Sequence, residues 1–232
     1  MMTSPFSNAR LAFISAILAG HLLTACDDGV LTFPTPDPAL VRIINTTQDV
    51  SNLTVVIDES KTVTAARGTS ADTVRAAAGR PIGFVLKEES TDLRRDTLFY
   101  TLGGDGRIIL FARGSKANVV EFRRVIQDTV LAPSDKPVIR FTHMAESVDL
   151  YVSLEVWIKG GDQLFGEIFD PGLSSKYEEL APGTYSFELR EAGTTNIVAV
   201  LNDVQITAGR SYMLYSWDTA PPAIDQVSFS YF

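Results

Sequence analysis

The chain has 232 residues, with 20 Lys and Arg against 28 Asp and Glu for a formal charge of −8 at pH 7. No basic stripe, zinc-finger spacing or aromatic motif interleaved with Lys and Arg accompanies that acidic balance, which argues against nucleic acid or an anionic lipid surface as partner. Hydrophobic residues make up 45% of the sequence, enough to bury a real core, and beyond the N-terminal segment no second long apolar stretch occurs.

At the N-terminus, Arg10 supplies a positive n-region, and Leu11 to Leu23 (LAFISAILAGHLL) is an apolar run too short to span a bilayer comfortably. Leu23-Thr24-Ala25-Cys26 closes it with small residues before a cysteine. The pattern predicts a bacterial lipoprotein signal peptide over residues 1–25. A buried free cysteine after an apolar helix is the bland alternative, but the abrupt change to Asp27-Asp28-Gly29 favours lipidation. Cys26 is the only cysteine, so an internal disulfide is excluded and thioether lipidation with acylation of the new N-terminus is expected. Several acyl chains anchor stably. The expected partner through Cys26 is therefore the membrane, and the expected place is the bacterial cell envelope, with the outer membrane favoured. Asp27 after the cysteine marks inner-membrane retention in some bacteria and acidic residues mark surface export in others, so the membrane face stays open. His21, inside the apolar run, is given no role.

Residues 26–38 then form a tether, because DDGVLTFPTPDP carries three prolines and no periodicity. From Leu40 onward short β-branched or aromatic runs alternate with Gly, Asp, Asn and Pro, an all-β pattern. Strands are expected at Val41–Asn45, Leu53–Ile57, Ile82–Lys87, Thr97–Leu102, Arg107–Ala112 and Val119–Ile126. A second series is expected at Val138–His143, Val148–Val152, Glu155–Lys159, Thr184–Arg190, Ile197–Leu201, Ser211–Trp217 and Gln226–Phe232. Thr69–Ala78 is the one segment with a local helical look, although its Thr, its Val and the terminal Gly79 suit a strand nearly as well.

The two series match. Val41-Arg42-Ile43 parallels Ile139-Arg140-Phe141, Gly106-Arg107 before Ile-Ile-Leu-Phe parallels Gly209-Arg210 before Tyr-Met-Leu-Tyr, and Val119-Val120-Glu121-Phe122 parallels Gln226-Val227-Ser228-Phe229. Order is kept at an offset of about 100 residues, the mark of an internal duplication. The expected organisation is two tandem β-sandwich domains, 39–131 and 137–232, divided by Ala132-Pro133-Ser134-Asp135-Lys136-Pro137.

Val41-Arg42-Ile43-Ile44-Asn45 with Asp49 and Leu53-Thr54-Val55, and the run from Tyr177 through Leu180, Pro182-Gly183-Thr184-Tyr185, Phe187, Leu189-Arg190 and Ala192-Gly193-Thr194, resemble the domain-of-unknown-function family DUF 4397 of bacterial envelope proteins. The resemblance covers roughly Leu40 to Phe232 as two copies. Thr46-Thr47-Gln48 departs from the family's small-residue, Ser, Pro run, and His143 stands where an Asn is expected. The resemblance implies an immunoglobulin-like or related β-sandwich, often lipid-anchored, with no established activity and no catalytic residues to carry over.

The residues agree with that implication. Pro182-Gly183 and Gly193-Thr194 read as turns, and Leu180, Tyr185, Phe187 and Leu189 place large side chains on one face with Ser186, Glu188 and Arg190 on the other. Asp105-Gly106 reads as a hairpin signal and not a phosphate loop, since no helix with Lys-Ser/Thr follows. There is no Gly-x-Ser-x-Gly and no His-Glu-x-x-His. His143 on an alternating run with Ile139 and Phe141 reads as a satisfied core-edge residue. Glu88-Glu89 and Glu178-Glu179 place neighbouring carboxylates on opposite strand faces, and Asp27, Asp28, Asp203 and Asp218 lack a calcium-loop pattern. No catalytic residue, metal or cofactor is expected.

Three functions from different classes remain open. The favoured one is a non-catalytic binding or structural module held at the envelope, recognising protein or glycan. The second is a carbohydrate binder built on Trp157, which in Glu155-Val156-Trp157-Ile158-Lys159 shares a face with Glu155 and Lys159; a Trp between domains is the competing explanation. An envelope hydrolase is the remote third.

Overall fold

A computed structural model describes residues 37–88, 94–104, 106–116, 120–127, 132–133, 135–145, 153–218 and 227–232. The predicted signal peptide, Cys26, Asp27, Asp28, Glu89, Asp105 and the predicted strand Val148–Val152 lie outside the described residues. What is described is all-β. The first series runs β1 (Ala39–Asn45), β2 (Asn52–Ile57), β3 (Lys61–Ala66), β4 (Val74–Ala76), β5 (Pro81–Glu88), β6 (Arg94–Thr101), β7 (Arg107–Arg113) and β8 (Glu121–Gln127). The second runs β9 (Val138–His143), β10 (Leu154–Ile158), β11 (Glu178–Glu179), β12 (Gly183–Glu191), β13 (Ile197–Ile206), β14 (Ser211–Asp218) and β15 (Val227–Tyr231).

These strands form sheets ordered β4-β1-β7-β8 and β3-β2-β5-β6 in the first series, and β11-β9-β14-β15 and β10-β12-β13 in the second. None of these sheets mixes the two series. Each pair of sheets closes over its own core, which is what makes each a β-sandwich. Val41 and Ile43 of β1 and Leu110 of β7 meet Val55, Ile57, Ile82 and Phe84 of the facing sheet. In the second series Ile139, Phe141, Leu214 and Phe229 meet Leu154, Val156, Phe187, Leu189 and Val204. The relative chain order of the strands is the same in both series. Only β3 has no named counterpart, and there Trp157–Gln163 and Leu154–Phe169 bridges edge β10 instead.

The parallel pairing explains the continuous apolar run of β7. β1 lies parallel to β7, and β9 parallel to β14. Strands buried on both faces lose the alternation of a half-wet strand, and accordingly Ile108 to Ala112 are all buried, as is every residue of β9. Their second faces are covered by each other. Ile44, Ile109 and Phe111 from the first series and Met144, Met213 and Tyr215 from the second form one further apolar cluster, each buried side chain contributing about 1.5–3 kcal/mol relative to exposure.

Phe111 and Tyr215 occupy the same register position, opposite Ile44 and Thr142 respectively, and they touch edge to face at 5.7 Å between ring centroids. Equivalent residues in mutual contact are the signature of an interface close to two-fold symmetry. Polar contacts flank it: the Tyr215 hydroxyl donates to Gly68 C=O at 3.0 Å, and Gln48 Nε2 donates to Asp218 Oδ2 at 3.1 Å.

Three sequence expectations change. Thr69–Ala78 contains the short strand β4 and no helix, its three paired residues held by β1. β3 and β11 were not expected; Lys61–Ala66 is mostly exposed with Val63 its one large apolar residue, and Glu178-Glu179 has no apolar residue to signal it. The Gly103–Gly106 turn, in which Gly106 N–H donates to Gly103 C=O at 3.2 Å, is no hairpin. It carries the chain from β6 in one sheet to β7 in the other, so the glycines turn a corner between layers.

Candidate functional site

Trp157 sits on β10, where strand pleating directs Val156 into the core and Trp157 to the outer face, as its spacing predicts. Cross-strand register then determines its neighbours. Glu155 lies opposite Arg190, and Trp157 opposite Glu188, on β12. The Arg190 guanidinium covers one face of the indole at 4.4 Å from the ring centroid. Arg190 Nε and Nη2 also donate to Glu188 Oε2 at 3.1 and 2.6 Å. The indole Nε1–H donates to Glu155 Oε2 at 3.0 Å, and the other oxygen, Oε1, accepts from Gly193 N–H at 3.1 Å.

Both carboxylates are buried and the indole is half-buried. Glu155 and Glu188 are therefore held in place by Gly193, Trp157 and Arg190, so the cluster is pre-ordered. Beside it, Val200, opposite Glu188 on β13, is exposed. A half-buried ring whose orientation is set by a buried carboxylate and a stacked guanidinium suits recognition of a ligand by surface contact. Lys159, expected on the same face, reaches Asn202 Oδ1 at 3.5 Å. The two-residue period places Glu155 on the face of Trp157. Glu188 and Arg190 come from a register that no local pattern encodes.

The other candidates are dispersed. His143 is buried, its Nδ1 2.9 Å from the Ser216 hydroxyl, its backbone bonded to Leu173 and Gly172. It holds the register position that Asn45 holds in the first series. Asn45 is a satisfied turn residue, donating to Val50 and Ala65 C=O and accepting from Thr47 N–H and hydroxyl. Asp203 and Asp218 lie on different sheets, and Asp218 is buried against Gln48. Among the described residues no three His, Cys, Asp or Glu gather as metal ligands. Glu178 and Glu179 are exposed, Glu179 paired with Lys136 at 2.6 Å. The tryptophan that lies between the two series is Trp217, packed against Gly68 and under Arg67 at 5.9 Å.

No family model matches the chain. No curated protein matches it either. Among solved structures, the CBMbc module of family CBM26 from Eubacterium rectale Amy13K, crystallised with maltoheptaose, is 12% identical with a TM-score of 0.28, covering 83% of this chain and 96% of that one. A proposed cell-adhesion protein from Bacteroides fragilis is 11% identical with a TM-score of 0.20, covering 79% and 84%. A leucine-rich repeat protein from Bacteroides thetaiotaomicron is 12% identical with a TM-score of 0.19, covering 80% of this chain and 26% of that one. Likenesses at this level carry no argument about ligand or partner.

Proposed function

We propose that this protein is a non-catalytic binding module of the bacterial cell envelope, anchored to the outer membrane by lipid on Cys26 and built from two duplicated sandwiches related to DUF 4397. The observation that carries the binding role is the pre-ordered outer face of the second sandwich, where Trp157 lies between Glu155, Glu188 and Arg190. The anchor rests on Leu23-Thr24-Ala25-Cys26 alone. Duplication is supported by the common strand order of the two series.

A carbohydrate ligand is the second reading, favoured by the same half-buried indole, held in orientation by Glu155 and Arg190. Metabolic labelling with a fatty acid tests the anchor: the wild-type chain should take up label and fractionate with membranes, and Cys26→Ala should accumulate as unprocessed precursor. A wild-type chain with no label, recovered wholly in the soluble fraction, refutes it. For the sugar reading, Trp157→Ala should weaken binding to any glycan identified by array screening several-fold to about tenfold, the equivalent of roughly 0.5–1.5 kcal/mol from one ring. An unchanged affinity in a folded variant would move the ligand away from this face and leave a protein partner as the better reading.

A further inference from the structure

The motif Gly-Arg that opens onto β7, its Arg107 the first residue of the strand, and recurs just before β14 contributes one arginine from each half to a single cleft of about 650 Å³ between the two sandwiches. Arg42 of β1 lines the same cleft. Its Nε and Nη2 donate to the Thr73 hydroxyl at 3.3 and 3.2 Å, and its guanidinium rests 4.5 Å from the Phe232 ring centroid. Burial lowers the Arg42 pKa from its usual value, with Tyr215 opposing, and the group stays a cation at any physiological pH. None of the described lining residues is acidic, and Arg42, Arg107 and Arg210 have no carboxylate partner among the described residues. A three-cation cleft on a chain of net charge −8 is a local inversion of sign.

Concave walls focus such a field. Guanidinium forks take carboxylate, sulfate or phosphate oxygens in pairs, and the volume falls within the range of small-ligand sites, about 300–1,000 Å³. Thr73, Thr207 and Ser211 add hydroxyls around the arginines. The cleft touches no residue of β10, β12 or β13, so it is separate from the Trp157 face.

We propose that this cleft is a binding site for an acidic oligosaccharide, its carboxylate or sulfate groups held by Arg42, Arg107 and Arg210. Titration calorimetry on the full chain in non-ionic detergent tests it, with an oligogalacturonate and a sulfated heparin oligosaccharide as the two acidic probes and a neutral malto-oligosaccharide and inorganic sulfate as controls. At least one acidic probe should bind, more weakly as salt rises, and Arg107→Gln and Arg210→Gln should each cost about tenfold, as expected for one charge-assisted hydrogen bond. The double variant should lose measurable binding with its melting temperature unchanged, while Trp157→Ala keeps it. Failure of both acidic probes to bind, or binding that survives the double variant, overturns the proposal. Inorganic sulfate binding as tightly as the oligosaccharides overturns the saccharide assignment in favour of a simple anion site.

Discussion

At residue 68 the absence of a side chain determines how closely the two sandwiches approach. Gly68 has a φ of +74° and a Cβ there would overlap the Trp217 indole, while its N–H donates to Asn45 C=O at 2.7 Å and its carbonyl accepts the Tyr215 hydroxyl. Left-handed backbone and steric overlap are distinct costs, and Gly160 separates them, having the same φ of +74° with open space around it. Gly160→Ala should lose about 1 kcal/mol through backbone strain alone. Gly68→Ala should lose a further 1–3 kcal/mol or so, because the indole must shift to admit the Cβ. Urea unfolding of the two variants measures the difference, and equal losses would mean that Trp217 moves aside freely. The same scale holds the candidate site: one hydrogen bond from Trp157 to Glu155 and one stacked guanidinium fix the ring's orientation.

Among the strands, β7 and β14 do two jobs, each closing its own sandwich with one face and joining the sandwiches with the other. Tyr215 of β14 faces the junction with its phenol buried, and its pKa is pushed up to about 12, chiefly by burial, with Ser230 and Arg42 opposing. A group that binds its proton more tightly when folded stabilises fully below the unfolded pKa of about 10 and loses that contribution as pH rises through the folded value. Stability should thus fall by about 2–3 kcal/mol between roughly pH 10 and pH 12 on account of this residue. Unfolding free energy measured across that window in wild type and Tyr215→Phe tests it. The variant should start lower, having lost the Gly68 hydrogen bond, and show the shallower slope; parallel curves would place the alkaline sensitivity elsewhere.

For the whole molecule, separate sheets and separate cores argue that each half can form its own sandwich, yet the junction argues that neither half is comfortable alone. A fragment of residues 137–232 keeps its own two sheets but exposes Met144, Met213, Tyr215 and the half-buried Trp217. An apolar patch of that kind drives association. The expected result is a fragment with a β-type circular dichroism spectrum that binds an apolar dye or self-associates, and that loses both properties on mixing with residues 39–131. A fragment that is monomeric, dye-free and as stable as the full chain would show that the junction contributes little. Contact across the junction also assembles the arginine cleft, whose lining comes from both halves.

Much of this was legible in the sequence. Runs of β-branched residues punctuated by Gly and Pro specify strands because pleating demands it, and the alternation of Phe187 and Leu189 with Glu188 and Arg190 identifies the core face directly. The lipid anchor proposed at Cys26 rests on the sequence alone. The run from Ile108 to Ala112 was different: with apolar side chains on both faces, period two vanishes, and which face meets β5 and which meets β14 is undetermined. β11 was hidden for the opposite reason, since Glu178 and Glu179 are strand only because β9 offers them a partner. The burial of Glu155 and Glu188, and the meeting of Arg42, Arg107 and Arg210, required the tertiary structure. Local pattern determines which side chains leave water; which surface covers them, and which charges then share a cleft, depends on chain segments brought together from far apart in the sequence.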